Sequence, residues 1–187
     1  MRDLVGSIEA EYRRYKAIGE GAIAQLRDDE LGVSEGAATN SVATIVWHLS
    51  GNLLSRFTDF LTSDGEKPWR DRDDEFAART VTRTELMERW ERSWNVLLDT
   101  LAALDDADLA NTVTIRSQPL RVVEALHRSL AHASYHVGQI VHIGKSRRGE
   151  EWRYLSIAPG QSGEYNRAPT LETPRAHAAR LNERGHT

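Results

Sequence analysis

Three histidines have the residue type and the spacing that a metal site requires. His132 and His136 are four residues apart in a segment with helical periodicity, so both imidazoles lie on one face of a helix. His48 lies in a second apolar segment, residues 42–49, that also favours a helix. Three imidazole ligands leave a coordination position open for water or substrate, which suits catalysis better than structure. The spacing therefore makes His48, His132 and His136 candidate ligands of one divalent metal, and the alternative from spacing alone is three unrelated histidines, two of them on a helix surface.

The levels of these histidines along their helices predict the topology. His48 lies about 8 residues after the expected start of helix 2, and His136 about 8 residues before the expected end of helix 4, roughly 12 Å in each case. These levels coincide only if helices 2 and 4 are antiparallel. The connection between helices 2 and 3 must then run the length of a bundle. Residues 63–81 could extend about 60 Å, against roughly 33 Å for helix 2.

Four segments with helical periodicity predict an all-α fold, a four-helix bundle that forms a single domain over residues 1–187. If the three histidines share a metal, the topology of this bundle is up-down-down-up. The predicted helices cover about residues 2–27, 40–62, 82–104 and 119–144. Asn40 is the expected cap of helix 2, Thr82 and Glu85 form a capping box, and Pro119 suits the first turn of helix 4. Residues 112–115 favour a short extended piece. An ordered tail is expected over about 150–167, and the last ten or so residues are expected to be frayed.

Composition limits the classes of partner and of chemistry. A net charge of -4 and a pI near 6.0 give no electrostatic basis for binding nucleic acid. The first residues lack a signal-peptide pattern and no run approaches the roughly 20 apolar residues of a membrane span, so we expect a cytoplasmic protein without a membrane partner. The chain has no cysteine, so a metal site must use imidazole and oxygen ligands, and any reacting thiol must come from outside.

Several sequence motifs, taken in their order along the chain, resemble those of the DinB-like superfamily of metal-binding four-helix bundles. They resemble in particular an uncharacterised subgroup of that superfamily. The last-helix pattern His-x-x-x-His-x-Gly-Gln is met by His132, His136, Gly138 and Gln139, and His48 matches in helix 2. The further matching segments are Trp47-His48-Leu49-Ser50-Gly51-Asn52, Arg56-Phe57-Thr58-Asp59-Phe60-Leu61-Thr62, Asp64-Gly65-Glu66-Lys67-Pro68-Trp69, Leu155-Ser156-Ile157 and Gly160-Gln161-Ser162. The resemblance covers about residues 40–167. It implies a divalent metal on the three histidines, an up-down-down-up bundle and frequently a homodimer.

The resemblance also implies a class of reaction. Characterised relatives include transferases and isomerases that use low-molecular-weight thiols such as bacillithiol or mycothiol. We therefore expect a metal-dependent enzyme that activates water or such a thiol for attack on a small-molecule substrate, with thiol S-transfer favoured over hydrolysis on the resemblance alone. The metal could be zinc, nickel, iron or cobalt. One alternative is a non-catalytic, metal-binding dimeric bundle in stress response or detoxification. Another is a metal-free structural bundle with unrelated histidines.

The predicted topology suggests which residues surround the open coordination position. The charges of residues 67–76 alternate in sign, which is most simply interpreted as a solvated loop. The same connection and the tail after helix 4 are nevertheless both expected to end near the metal, and an arginine there would suit a carboxylate on the cosubstrate or substrate. The candidates for the mouth are Asn52, Trp69, Arg70, Arg72, Ser156 and Gln161. The histidines expected to be structural or on the surface are His127, His142, His177 and His186.

Overall fold

Helices dominate the fold, as the sequence predicts. A computed structural model describes residues 1–36 and 38–185. The long helices are α1 (Asp3–Ile23), α2 (Val42–Phe57), α3 (Arg83–Ala103) and α4 (Val122–Arg148), and the shorter ones are α5 (Ser162–Tyr165) and α6 (Pro174–Gly185). A hairpin of β1 (Thr112–Ile115) and β2 (Gln118–Arg121) precedes α4. None of the helices in this described part of the chain combines the length and apolar character that a membrane span needs.

Side-chain caps explain where two of the long helices begin. At the start of α2 the hydroxyl of Ser41, rather than the expected Asn40, accepts a hydrogen bond from the backbone N–H of Thr44 at 3.1 Å. At the start of α3 the predicted capping box is present: Thr82 accepts from the N–H of Glu85, whose carboxylate accepts from the N–H of Thr82. These caps satisfy N–H groups that the first helical turn leaves without partners.

The ends of α2 and the start of α4 differ from the prediction. Helix α2 ends at Phe57 rather than near residue 62, because the chain turns at Asp59, whose φ of 50° is left-handed. Pro119 does not open α4; it lies in β2 opposite Thr114, and α4 begins three residues later at Val122. The expected extended piece, residues 112–115, is β1 of this hairpin.

The hairpin is fixed to the connection between α2 and α3, residues 58–82, which we call the crossover. Its turn residues Arg116 and Ser117 have φ of 54° and 59°, the left-handed geometry that suits a tight two-residue hairpin turn. The Asp64 carboxylate in the crossover accepts hydrogen bonds from their backbone N–H groups at 2.8 and 2.7 Å. The N–H of Gly65 donates to the carbonyl of Thr114 at 2.8 Å. The crossover and hairpin therefore form one wall beside α2 and α4.

The long helices share one apolar core. Trp90 and Trp94 of α3 are fully buried, and the ring of Tyr12 packs edge-on to Trp94 with centroids 6.4 Å apart. Gly19 makes room for this packing, because a Cβ there would lie 2.6 Å from the ring of Trp90. The tryptophans are thus core residues, and α1 approaches α3 closely.

Contacts along the helices give their relative directions around the site. On α2 and α4, His48 faces His132, whereas Phe57 and Ala125 line the same cavity further along, so residue numbers rise in opposite senses. On α2 and α3, the Ser93 hydroxyl donates to that of Ser50 and the Thr100 hydroxyl to the carbonyl of Phe57, so residue numbers rise together. The crossover therefore returns along the length of α2.

The C-terminal part of the chain packs against α1. Ala178 and Leu181 of α6 are buried against Ala17, and the ring of His177 hydrogen-bonds the carbonyl of Leu155 at 2.7 Å. The expected fraying of the last ten or so residues is therefore wrong for this part of α6, because its apolar side has a partner. Residues 186 and 187 lie outside the described residues.

Candidate metal centre

The three predicted histidines converge between α2 and α4. The Nε2 atom of His132 lies 3.2 Å from Nε2 of His48 and 3.1 Å from Nε2 of His136. One nitrogen from each ring lies within 4.8 Å of the others, and His48 and His136 are buried while His132 is half-buried. The cluster could therefore hold a metal ion.

Hydrogen bonds on the far side of two rings fix which nitrogen faces inward. Nδ1 of His48 lies 2.9 Å from a carboxylate oxygen of Glu75, and Nδ1 of His136 lies 2.8 Å from the amide oxygen of Gln139. Both oxygens accept hydrogen bonds, so each Nδ1 donates a proton to its partner and the Nε2 atom of each ring is the one that faces inward. This is the tautomer that metal-binding histidines use.

His132 completes a set of three inward-facing imidazole nitrogens whose lone pairs cannot all be satisfied by hydrogen bonds within the set. Its Nε2 faces both inward lone pairs, yet an imidazole N–H on that nitrogen can point to only one of them. Its Nδ1 is buried and has no hydrogen-bond partner among the described residues. Unpaired buried polar atoms are costly, whereas a cation among the three Nε2 atoms would be attracted to every lone pair. The donor set therefore fits a bound metal.

Burial keeps two of the imidazoles uncharged. Desolvation, helped by the neighbouring imidazoles, lowers the pKa of His132 to about 3. Desolvation also lowers the pKa of His136, although its hydrogen bond to Gln139 acts in the opposite direction. Metal ligands must be unprotonated, so both rings are in the binding form at neutral pH.

Glu75 is held in place from two sides. Burial alone would raise the pKa of Glu75, but hydrogen bonds from Arg70 and His48 outweigh it and keep the pKa below its usual value. Arg70 donates to both carboxylate oxygens, at 2.8 and 2.9 Å, and to the Ser55 hydroxyl at 3.2 Å. The Arg70 and Glu75 side chains are only 2% and 4% exposed. Gly51 leaves room for this pair, since a Cβ at that position would overlap the carboxylate of Glu75.

Phe76, next to Glu75, covers the outer side of the cluster. Its ring lies over His48 with the centroids 4.5 Å apart, and the Arg72 guanidinium lies 5.1 Å from the centre of the same ring. The sequence analysis missed both Glu75 and Phe76. The available signal was the requirement of a metal-binding histidine for an acceptor at its second nitrogen, which an acidic residue in the crossover supplies.

A cavity of about 180 Å³ opens beside the cluster. His48 and His132 lie in its wall, together with three of the predicted mouth residues, Asn52, Arg70 and Arg72. The remaining wall comes from α2, the crossover, the hairpin and α4.

The structure places the other three predicted mouth residues elsewhere. Trp69 is 57% exposed and lies in a shallow depression on the outer side of the crossover. Ser156 and Gln161 line a second cavity, between α1 and the C-terminal segment. The reason is the length of α4, which continues to Arg148, roughly 18 Å beyond His136, and carries the tail away from the cluster.

The remaining histidines lie apart from the cluster. His127 and His142 are exposed on α4, and His177 is buried on α6, where it contacts Leu155. His186 lies outside the described residues. In the described part of the chain, the triad is thus the only histidine group of metal-binding geometry.

Comparisons with known proteins assign no chemistry to this site, so its geometry is the basis for any functional proposal. Neither the comparison with curated proteins nor the comparison with solved structures found a match. A protein-family comparison matches residues 1–161, a range that contains the histidine cluster, the crossover and the hairpin. The chain therefore belongs to the family described as "Protein of unknown function (DUF1572)".

Proposed function

We propose that this protein binds one divalent metal through His48, His132 and His136 and is a metal-dependent enzyme acting on a small molecule. The observation that carries the proposal is the convergence of three Nε2 atoms, two of them held as acceptors by Glu75 and Gln139. Structural histidines usually pair with a donor or acceptor of their own, whereas these face one another. Imidazole ligands are compatible with zinc, nickel, iron or cobalt.

The cavity beside the histidines is the feature that suits the proposed metal site to catalysis. When bound, a divalent cation supplies Lewis acidity that lowers the pKa of a coordinated water or thiol. The protein's own residues orient and enclose the histidine rings. Glu75 and Gln139 fix the tautomers, and Phe76 covers His48 on the side of the crossover. The cavity beside His48 and His132 leaves space for the substrate.

We further propose that the fold is an up-down-down-up four-helix bundle of the DinB-like type and that the reaction is thiol S-transfer. The helix directions at the site and the returning crossover support the topology. The motif His-x-x-x-His-x-Gly-Gln, with the role of Gln139 at His136, supports the likeness. The thiol must be external, such as bacillithiol or mycothiol, because the chain has no cysteine. The homodimer implied by the resemblance and the cytoplasmic location expected from the sequence stay predictions.

The alternative is a metal-binding bundle that does not turn over substrate. The buried pair Arg70–Glu75 is the observation that favours this alternative. A histidine held as firmly as His48 would also suit a site that only retains its metal. Incubation of zinc-loaded or nickel-loaded protein with bacillithiol, mycothiol or glutathione and an alkyl halide separates the two functions. Protein-dependent thioether formation supports the transferase, and its absence with every thiol and metal supports the non-catalytic alternative.

Metal content tests the site itself. We expect close to one equivalent of metal per chain by elemental mass spectrometry of tag-free protein, and loss of most of it in His48→Ala, His132→Ala and His136→Ala. His127→Ala, an exposed histidine on the same helix as two of the ligands, is the matched control and should keep the metal. Protein that takes up no metal after supplementation would leave the structural bundle as the remaining interpretation.

A further inference from the structure

The geometry points to a class of ligand for the cavity: we propose that it binds an organic anion whose apolar part is about the size of a benzene ring. The inference rests on the proposed function, since it names the class of substrate or cosubstrate for the same site. It is carried by the charges, the apolar surface and the volume of the cavity wall.

Arginine dominates the charge of the wall. The cavity is lined by five arginines, and none of its described lining residues is an aspartate or glutamate. The arginines come from α2, the crossover, the hairpin turn and α4, so they surround the cavity rather than follow one helix face. They are Arg56, Arg70, Arg72, Arg116 and Arg128. Among the described lining residues no carboxylate balances this charge, so the only balancing carboxylates lie behind the wall.

Two carboxylates account for three of the five guanidinium groups. Glu66 contacts Arg56 at 3.3 Å and Arg116 at 2.9 Å, and Glu75 holds Arg70. Two glutamates therefore face three arginines, and one positive charge in this group is in excess.

Two further arginines have no carboxylate at all. Arg72 and Arg128 form no ion pair with any residue that the structure describes, and both are exposed at the cavity. Within the described residues, the guanidinium of Arg72 instead lies over the ring of Phe76. Guanidinium groups present paired N–H donors that match carboxylate and phosphate oxygens, so an anion at the mouth would supply what the protein does not.

Apolar side chains form a second part of the wall. Phe57 contributes from the end of α2, Phe60 from the crossover and Ala125 from near the start of α4, and Val113 and Ile115 contribute from β1. The volume of about 180 Å³ is close to that of an engineered protein cavity of roughly 150 Å³ that accepts benzene. A compact apolar group thus fits the interior while its charged group faces Arg72 and Arg128.

Benzoate and benzamide are suitable probes because they share shape and differ in charge. Calorimetric titration of zinc-loaded protein should give benzoate at least tenfold tighter binding than benzamide. Arg128→Gln and Arg72→Gln should each weaken benzoate binding about tenfold and leave benzamide unchanged. Arg92→Gln, an exposed arginine of α3 that does not line the cavity, is the matched charge control and should bind like the parent.

Repeating the titration on chelator-treated protein separates this inference from the metal proposal. Benzoate binding that depends on Arg72 and Arg128 in protein that never binds zinc supports the anion cavity and overturns only the metal site. If the protein binds zinc but binds benzoate and benzamide with equal affinity, the anion cavity is overturned and the metal site is not. The anion cavity is also overturned if benzoate binding is undetectable. The same holds if Arg92→Gln loses as much benzoate affinity as Arg72→Gln and Arg128→Gln do.

Discussion

His48 receives more support than the other two histidines of the cluster. Its Nδ1 donates to Glu75, which Arg70 holds through both oxygens, while Phe76 covers its ring. His132, in contrast, has no partner for its Nδ1 among the described residues. The three histidines are thus unequally supported, and the orientation of His48 depends on residues far from it in sequence.

Replacing Glu75 should therefore weaken metal binding without removing a ligand. In Glu75→Gln the amide can still contact His48, but the charge that holds the tautomer and pairs with Arg70 is lost. We expect the metal affinity to fall by about 10–100-fold, measured by competition with a chromophoric chelator. Glu30→Gln is the matched control, because Glu30 is also buried against an arginine, Arg148, but lies away from the cluster. Equal affinity in the Glu75 and Glu30 variants would contradict this role.

At the scale of single residues, the sequence predicted the three histidines that converge but not the residues that support them. The four-residue spacing of His132 and His136 fixes a shared helix face by geometry alone, and the matching level of His48 follows from helix rise. Glu75 lies in a run of alternating charges, where nothing local distinguishes one carboxylate from the next. Its role depends on how the crossover folds back over α2.

Helix α2 carries its ligand close to the crossover because of one glycine. Gly51 lies three residues after His48, and the carboxylate of Glu75 occupies the space that a side chain would fill. In Gly51→Ala the added methyl group should displace Glu75 and free Nδ1 of His48, so metal affinity should fall even though alanine favours helix. We expect at least a tenfold loss by chelator competition.

Gly138 on α4 provides the matched control for this substitution. It lies two residues after His136, and nothing lies within 4 Å of where its Cβ would be. Gly138→Ala should keep the metal and stabilise the protein by up to about 1 kcal/mol through helix propensity alone, seen as a higher Tm. Metal loss in Gly138→Ala, or none in Gly51→Ala, would show that the two glycines do not differ in this way.

At the scale of elements, helix boundaries set by a local capping pattern were easier to predict than boundaries set by tertiary contacts. Thr82 and Glu85 form a local pattern that sets the start of α3 wherever the helix packs. The end of α2 depends instead on the left-handed backbone of Asp59, and the start of α4 on a hairpin that includes Pro119. Both depend on tertiary contacts between the crossover and the hairpin, which periodicity does not encode.

The whole molecule separates the candidate site from the C-terminal helix. Helix α6 packs on α1, which contributes no histidine to the cluster, and it lies beyond residues 1–161 matched to the family. The tail residues Ser156 and Gln161 likewise lie at the second cavity. Sequence reasoning placed them at the metal because it ended α4 near residue 144, about one helical turn too early.

Deleting residues 168–187 should therefore lower stability and leave the metal in place. The loss of the contacts of Ala178 and Leu181 removes roughly one buried leucine side chain, about 1.5–3 kcal/mol, and should lower the Tm by several degrees. Metal content and its loss in His132→Ala should be unchanged. A deletion that also abolished metal binding at temperatures where the protein is folded would show that α6 supports the cluster.

Arg70 belongs both to the support of His48 and to the wall of the cavity. If the proposed metal and anion both bind, any displacement of this guanidinium by one of them would change the surroundings of the other, and their occupancies would be thermodynamically linked. Linkage is reciprocal: if an anion alters the metal affinity by some factor, the metal alters the anion affinity by the same factor. Through one buried arginine, a change in anion concentration would then become a change in metal retention.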